Sequence, residues 1–206
     1  MTITRPSPNE SKLKELIIYV AALEGRDESF GVTKLNKLLF RIDFTAFVEL
    51  RKPVTGVRYF ALQEGPAPKP MKRLLEMMRK NGEINIVRSK HGGGDQQRVN
   101  ALRPANRNMF SPDELNLVSR IVQQYWGKSG RTMSRESHEF PGWSRSSARL
   151  QEEIPYQVAL IGDRDPTPEE IKYGLELEPL AQQYLSRNAA RRSKTKTPDD
   201  NREPSI

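Results

Sequence analysis

The chain has 206 residues, of which 35% are hydrophobic and 29% charged. Globular chains run at about 45–50% apolar, counting glycine, and about 25% charged, so this balance predicts one folded domain with disordered ends. It contains no cysteine, which excludes disulfides, thiolate chemistry and cysteine-ligated zinc, and its net charge of +8 favours nucleic acid or an acidic protein surface as a partner.

The first sixteen residues, MTITRPSPNESKLKEL, lack the basic-then-apolar layout of a signal peptide. Ser7, Pro8 and Glu10 predict a helix start, with serine as cap, proline at the first helical position and glutamate reaching back to the cap amide. Leu13, Leu16, Ile17, Val20 and Leu23 give this helix one apolar face, and Gly25 is placed to end it. The apolar run 16–23 is far too short to span a bilayer, so the expectation is a soluble, cytoplasmic protein with no membrane partner.

A second helix is predicted over 32–50. Leu35, Leu38, Leu39, Ile42 and Ala46 turn inward, and Lys34, Lys37 and Arg41 fall on another, exposed face. The β-branched and aromatic residues of 54–62 predict a strand, and Pro66, Pro68 and Pro70 force a corner. A short helix over 70–81 follows, with Met71, Leu74, Leu75 and Met78 inward and Gly82 as its stop. Residues 84–88 and 96–102 flank His91-Gly92-Gly93-Gly94-Asp95, a hairpin signal.

Ser111, Pro112 and Glu114 repeat the capping signature before Leu115, Val118, Val122 and Tyr125. A turn at 127–130 leads to a short helix over 132–138 and a loop with Pro141, Gly142 and Trp143. The run 154–161 reads equally as strand or buried helix. A last capping signature at Thr167, Pro168 and Glu170 predicts a helix that bends at Pro179, and 187–206 is a disordered basic tail. The predicted fold is α+β and predominantly helical, with helices packed around a small antiparallel sheet or hairpin.

No catalytic constellation emerges. Ser134 and His138 share a helix face, but no acidic orienter is specified and no nucleophile elbow surrounds the serine. With only His91 and His138 available, no metal site is advertised, and Gly65-Pro66 lacks the residues of a phosphate loop. The strongest constellation of another kind is the 70–81 helix followed at once by a hairpin, the order of winged-helix DNA binders. Lys69, Lys72, Arg73, Arg79 and Lys80 surround that helix, and Arg88, Lys90 and Arg98 decorate the hairpin. Asn81 and Asn85 are the only nearby amides suited to reading adenine.

The most specific stretch is 33–70. Lys34-Leu35-Asn36-Lys37-Leu38-Leu39, followed by Gly56, Tyr59, Gly65, Pro66 and Pro68, resembles the signature of the Panacea domain family, the SocA-like antitoxins. Weaker similarity recurs at Met133-Ser134-Arg135-Glu136-Ser137-His138-Glu139-Phe140-Pro141-Gly142-Trp143, at Ile154-Pro155-Tyr156 and at Thr167-Pro168-Glu169-Glu170-Ile171. The resemblance implies a domain over 1–186 that serves as the antitoxin of a bacterial or phage toxin–antitoxin pair. It implies a cognate toxin as partner, a protease as a second partner where members act as adaptors, and neither enzymatic activity nor a cofactor. The partner-binding residues it points to are Lys34, Lys37, Arg41, Tyr59, Pro66, Pro68, Ser134, His138 and Trp143. A DNA-binding regulator is the alternative.

Overall fold

A computed structural model of the chain describes residues 7–69, 71–91, 94–138 and 151–160. In chain order these form helix α1 (Glu10–Leu23), helix α2 (Val32–Glu49), strands β1 (Tyr59–Phe60) and β2 (Ala67–Pro68), and helix α3 (Met71–Lys80). Strands β3 (Ile84–His91) and β4 (Gly94–Ala101), a 3-10 turn (Arg107–Met109) and helices α4 (Pro112–Gln124) and α5 (Gly130–His138) follow. Strand β5 (Glu153–Ile154) and a second 3-10 turn (Tyr156–Leu160) complete the order. All of this belongs to the unit Met1–Ile161. The helix expected at Thr167 and the basic tail lie outside the described residues.

The fold is α+β and predominantly helical, with two small antiparallel sheets. In one, β1 lies between β2 and β5, with Tyr59 opposite Pro68 and Ile154, and Phe60 opposite Ala67 and Glu153. The strand expected over 54–62 shrinks to two residues. Gly56 has a φ of +68°, which breaks the extended run, and Val54, Thr55 and Val57 are all buried, so the segment does not alternate. The 154–161 run resolves into a strand end and a 3-10 turn on either side of Pro155. The other sheet is the β3–β4 hairpin, paired from Ile84 with Ala101 out to His91 with Gly94 and so longer than its apolar residues alone suggest.

The first helix start also differs from expectation. Asn9, not Ser7, is the cap: its Oδ1 accepts from the Lys12 amide at 2.9 Å, while its own N–H donates to the Thr55 carbonyl at 2.9 Å. That second bond ties the helix start to the segment before β1. At α4 the expected capping box forms, the Ser111 amide donating to Glu114 and the Glu114 amide donating to Ser111 Oγ. Glu114 accepts Lys12 Nζ as well, at 2.8 Å, which couples the starts of α1 and α4. Arg103 joins Glu15 of α1 to Glu83 ahead of β3, each at 2.7 Å.

Helix α2 is the spine. It packs against α1, α4, α5, β2, β4 and the second 3-10 turn, so most of its circumference is buried. Its leucines join those of α1 in the core, and Phe40, Phe44 and Phe47 form a second apolar row that meets Tyr59 and Tyr156 at centroid distances of 4.7–5.6 Å. Among the described residues, no helix is long and apolar enough to cross a membrane.

Candidate functional site

Because most of α2 is enclosed, three of its charged side chains, Lys34, Lys37 and Asp43, become interior ones. Lys34 is fully buried, its ammonium 2.6 Å from Asp27 Oδ2 and 2.9 Å from Glu24 Oε2, both on the segment that leaves α1. The Asp27 carboxylate also accepts the Ser29 amide at 2.7 Å and the Gly127 amide at 2.6 Å. Burial works against its ionisation, but hydrogen bonds from Lys34, Ser29 and Gly127 outweigh it and hold the carboxyl well below its usual range. Glu24 has less help. Burial outweighs the nearby Lys34 and pushes its carboxyl up to about 7, and its Oε1 finds no hydrogen-bond partner among the described residues.

One helical turn on, Lys37 points into the Gly65–Pro68 corner. Its ammonium donates to the Pro66 carbonyl at 3.3 Å, and burial lowers its pKa to about 8 against the pull of the Glu64 carboxylate. Gly65 has a φ of +90°, and a Cβ there would sit 2.8 Å from Lys37 Nζ and 2.6 Å from Ser137 Oγ. The backbone angle favours glycine, and an added Cβ would also displace the ends of those two side chains. Ser134 of α5 donates to the Glu64 carbonyl at 2.6 Å, fastening α5 to the same corner, while Ser137 donates within the helix to the Ser134 carbonyl at 2.7 Å.

Farther along, Asp43 is fully buried and accepts the Thr55 amide at 2.7 Å, the Thr55 hydroxyl and the Tyr59 hydroxyl at 2.8 Å. Burial raises the Asp43 carboxyl and lifts the Tyr59 phenol well above its ordinary value. Thus Lys34, Lys37 and Asp43 each pin α2 to a different segment.

These contacts correct the expected exposure of the predicted residues. Lys34, Lys37 and Tyr59 are withdrawn from solvent, as are Pro66 and Pro68, and Ser134 is buried as well. The physical reason is the second apolar row: Lys37 lies on the same side of α2 as Phe40 and Phe44, three and seven residues on, so enclosing the phenylalanines encloses the lysine. Arg41 alone of the basic stripe is part-exposed, stacked over the Tyr125 ring at 5.8 Å. Leu62, Gln63 and Glu64, just ahead of the corner, are exposed. His138 ends α5, and its side chain, like Trp143, lies outside the described residues.

What the surface does present is a groove that sequence reading overlooked. Pro8, Glu10, Val57, Arg58, Lys69 and Arg73 line a concavity of about 390 Å³. Lys69 and Arg58 both lie over the Phe60 ring, at 5.1 and 5.3 Å, and their backbones are joined by the Lys69 amide donating to the Arg58 carbonyl at 3.1 Å. Arg58 is shared with a second concavity of about 370 Å³ beside Ile154 and Tyr156, where it pairs with Glu153. An Arg-Tyr-Phe run followed by a Lys opposite it in a hairpin-like pair was the available signal; it needed the β1–β2 register to be seen.

The architecture thus defines a helical α+β domain in which buried charged residues of α2 hold segments together from within and three cations line a concavity at the β1–α3 junction. A family model described as antitoxin SocA-like, Panacea domain, matches residues 35–144, just over half of the chain, which therefore belongs to this family of antitoxin-type domains. No curated protein and no solved structure matches the chain. The matched span begins inside α2 and takes in the corner, α3, the hairpin, α4 and α5; α1 and β5, which complete the core, fall outside it.

Proposed function

We propose that the chain neutralises a cognate toxin by direct protein–protein contact in the cytoplasm, as the antitoxin of a bacterial or phage-borne pair, with no chemistry of its own. The observation that carries this reading is the family match over 35–144. Two features support contact over catalysis. Ser134 directs its hydroxyl at the Glu64 backbone carbonyl, and the buried Lys37 ammonium donates to the Pro66 carbonyl, so both side chains are spent on internal hydrogen bonds.

Co-expression with the neighbouring open reading frame tests the proposal. A toxin–antitoxin pair requires that the neighbour arrest growth alone, that this chain restore growth, and that the two co-elute in size-exclusion chromatography. A neighbour equally toxic with and without this chain removes the basis of the reading. Protease-adaptor action is separated from masking by the toxin's half-life: masking leaves it unchanged in the presence of the antitoxin, and delivery shortens it.

A DNA reading rests on one observation, the helix-then-hairpin order of α3, β3 and β4 with Arg88 and Lys90 exposed. On α3, Arg79 and Lys80 lie beside Glu76 and Arg73 beside Glu10, exposed pairs that lower the local positive charge without occupying the cations. Binding to the upstream promoter and to a random duplex at two salt concentrations tests it. Equal affinity for both, falling with salt, leaves only charge attraction.

A further inference from the structure

We infer that the groove at the β1–α3 junction receives an acidic segment of the partner protein, an extended stretch with carboxylates beside an apolar side chain. This rests on the proposed toxin contact and deepens it. Three cations, Arg58, Lys69 and Arg73, line the groove; Glu153 matches Arg58 from beside it and Glu10 meets Arg73, which leaves the charge of Lys69 in excess, while Pro8 and Val57 add apolar lining. Charge excess above an apolar base fits a ligand that carries both features.

The cations are held ready. Phe60 is half-buried and carries Lys69 and Arg58 over its ring, which limits the freedom of both side chains before a partner arrives. Lys69 is exposed and meets no carboxylate among the described residues. Arg73 does meet one, Glu10 at 3.0 Å, but the two side chains are 72% and 42% exposed, so that pair is solvated and exchangeable for a partner's carboxylate. Helix α3, which begins between Lys69 and Arg73, has no acidic residue in its first turn, so nothing in its own sequence neutralises its positive end. The concavity beside Tyr156 shares Arg58 but lacks Lys69 and Arg73 and carries Glu153 instead.

The test reverses the charge where the structure places it. Lys69→Glu with Arg73→Glu alters two exposed side chains. Arg26→Glu with Lys52→Glu, two exposed cations that line neither concavity, is the matched control. Against the purified toxin, the groove variant is expected to bind about tenfold or more weakly with an unchanged unfolding midpoint, and the control within about twofold of the parent. A second measurement needs no toxin. A fluorescein-labelled peptide of alternating Leu, Asp and Glu is titrated into the full chain beside a peptide with Lys in place of the acids. Preference for the acidic peptide, abolished in the groove variant, supports the proposal. Equal binding of the two peptides, preference for a DNA duplex at the same residues, or a groove variant that binds toxin as well as the parent overturns it. Failure of the neighbouring protein to bind the parent chain instead removes the toxin reading, and the peptide titration still decides whether the groove takes acidic segments.

Discussion

Replacing each of the two buried lysines of α2 by methionine separates a lysine that holds the fold together from one that the fold tolerates. Lys34 faces two carboxylates, at 2.6 and 2.9 Å, and removing it strands both in the interior. Breaking a buried pair from one side costs about 3–5 kcal/mol. Two features pull the value toward the lower end: Glu24, already raised to about 7, can take up a proton, and Asp27 keeps its amide hydrogen bonds from Ser29 and Gly127. Lys34→Met is therefore expected to cost about 3 kcal/mol, lowering Tm by about 6–12 °C in a chain of this size. Lys37 differs. Its pKa is lowered from 10.5 to about 8, so the fold disfavours its charge by roughly 3 kcal/mol, and in return the ammonium makes one hydrogen bond at 3.3 Å. Methionine fills similar volume without a charge to desolvate, and the change should fall within about 1 kcal/mol of neutral or stabilise. Urea unfolding followed by circular dichroism reads both. The reasoning is refuted if Lys37→Met destabilises as much as Lys34→Met, or if Lys34→Met is silent.

Gly65→Ala combines a φ of +90° with contacts below 3 Å to Lys37 and Ser137, and a loss of about 2–4 kcal/mol is expected; Gly82→Ala, at +69° with nothing within 4 Å, should cost only about 1–2 kcal/mol in the same unfolding assay. Glu24 holds its proton more tightly folded than unfolded, so its contribution to stability is complete below the ordinary value of 4.5 and is lost as pH rises through about 7. Tm should accordingly show a downward slope over that window that Glu24→Gln flattens, and an unaltered slope in the variant would discount the residue. Lys37 acts on the other side: its neutral form is favoured in the fold, so stability is recovered as pH rises from about 8 toward 10.5, and Lys37→Met should abolish that rise. Ser134→Ala removes one hydrogen bond to the Glu64 carbonyl, worth about 1 kcal/mol of stability, and should leave toxin neutralisation intact; loss of neutralisation by a well-folded variant would favour a catalytic serine.

The local rules written in the chain carried much of the architecture. Apolar spacing located α1, α2, α3 and α4, the Ser111-Pro112-Glu114 signature located a cap, and Gly82 ended a helix with a positive φ, because these are decided by neighbours a few residues apart. The KLNKLL and Gly-Pro-Ala-Pro stretches likewise marked the family. What they could not convey is which face of α2 meets solvent. Lys34 and Lys37 read as a surface stripe because a lysine's ordinary place is in water, yet Asp27, the Pro66 carbonyl and α5 arrive from elsewhere in the chain to enclose them. The candidate groove was hidden for the same reason: Pro8, Val57, Lys69 and Arg73 meet only once β1 has paired with β2 and α1 has capped itself on the Thr55 carbonyl. Periodicity is a property of one element, whereas burial and charge complementarity belong to the contacts between elements. The sequence alone determined the helices and the family, and packing around α2 decided which charged residues hold the fold together and which stay exposed, because burial depends on segments distant in the chain.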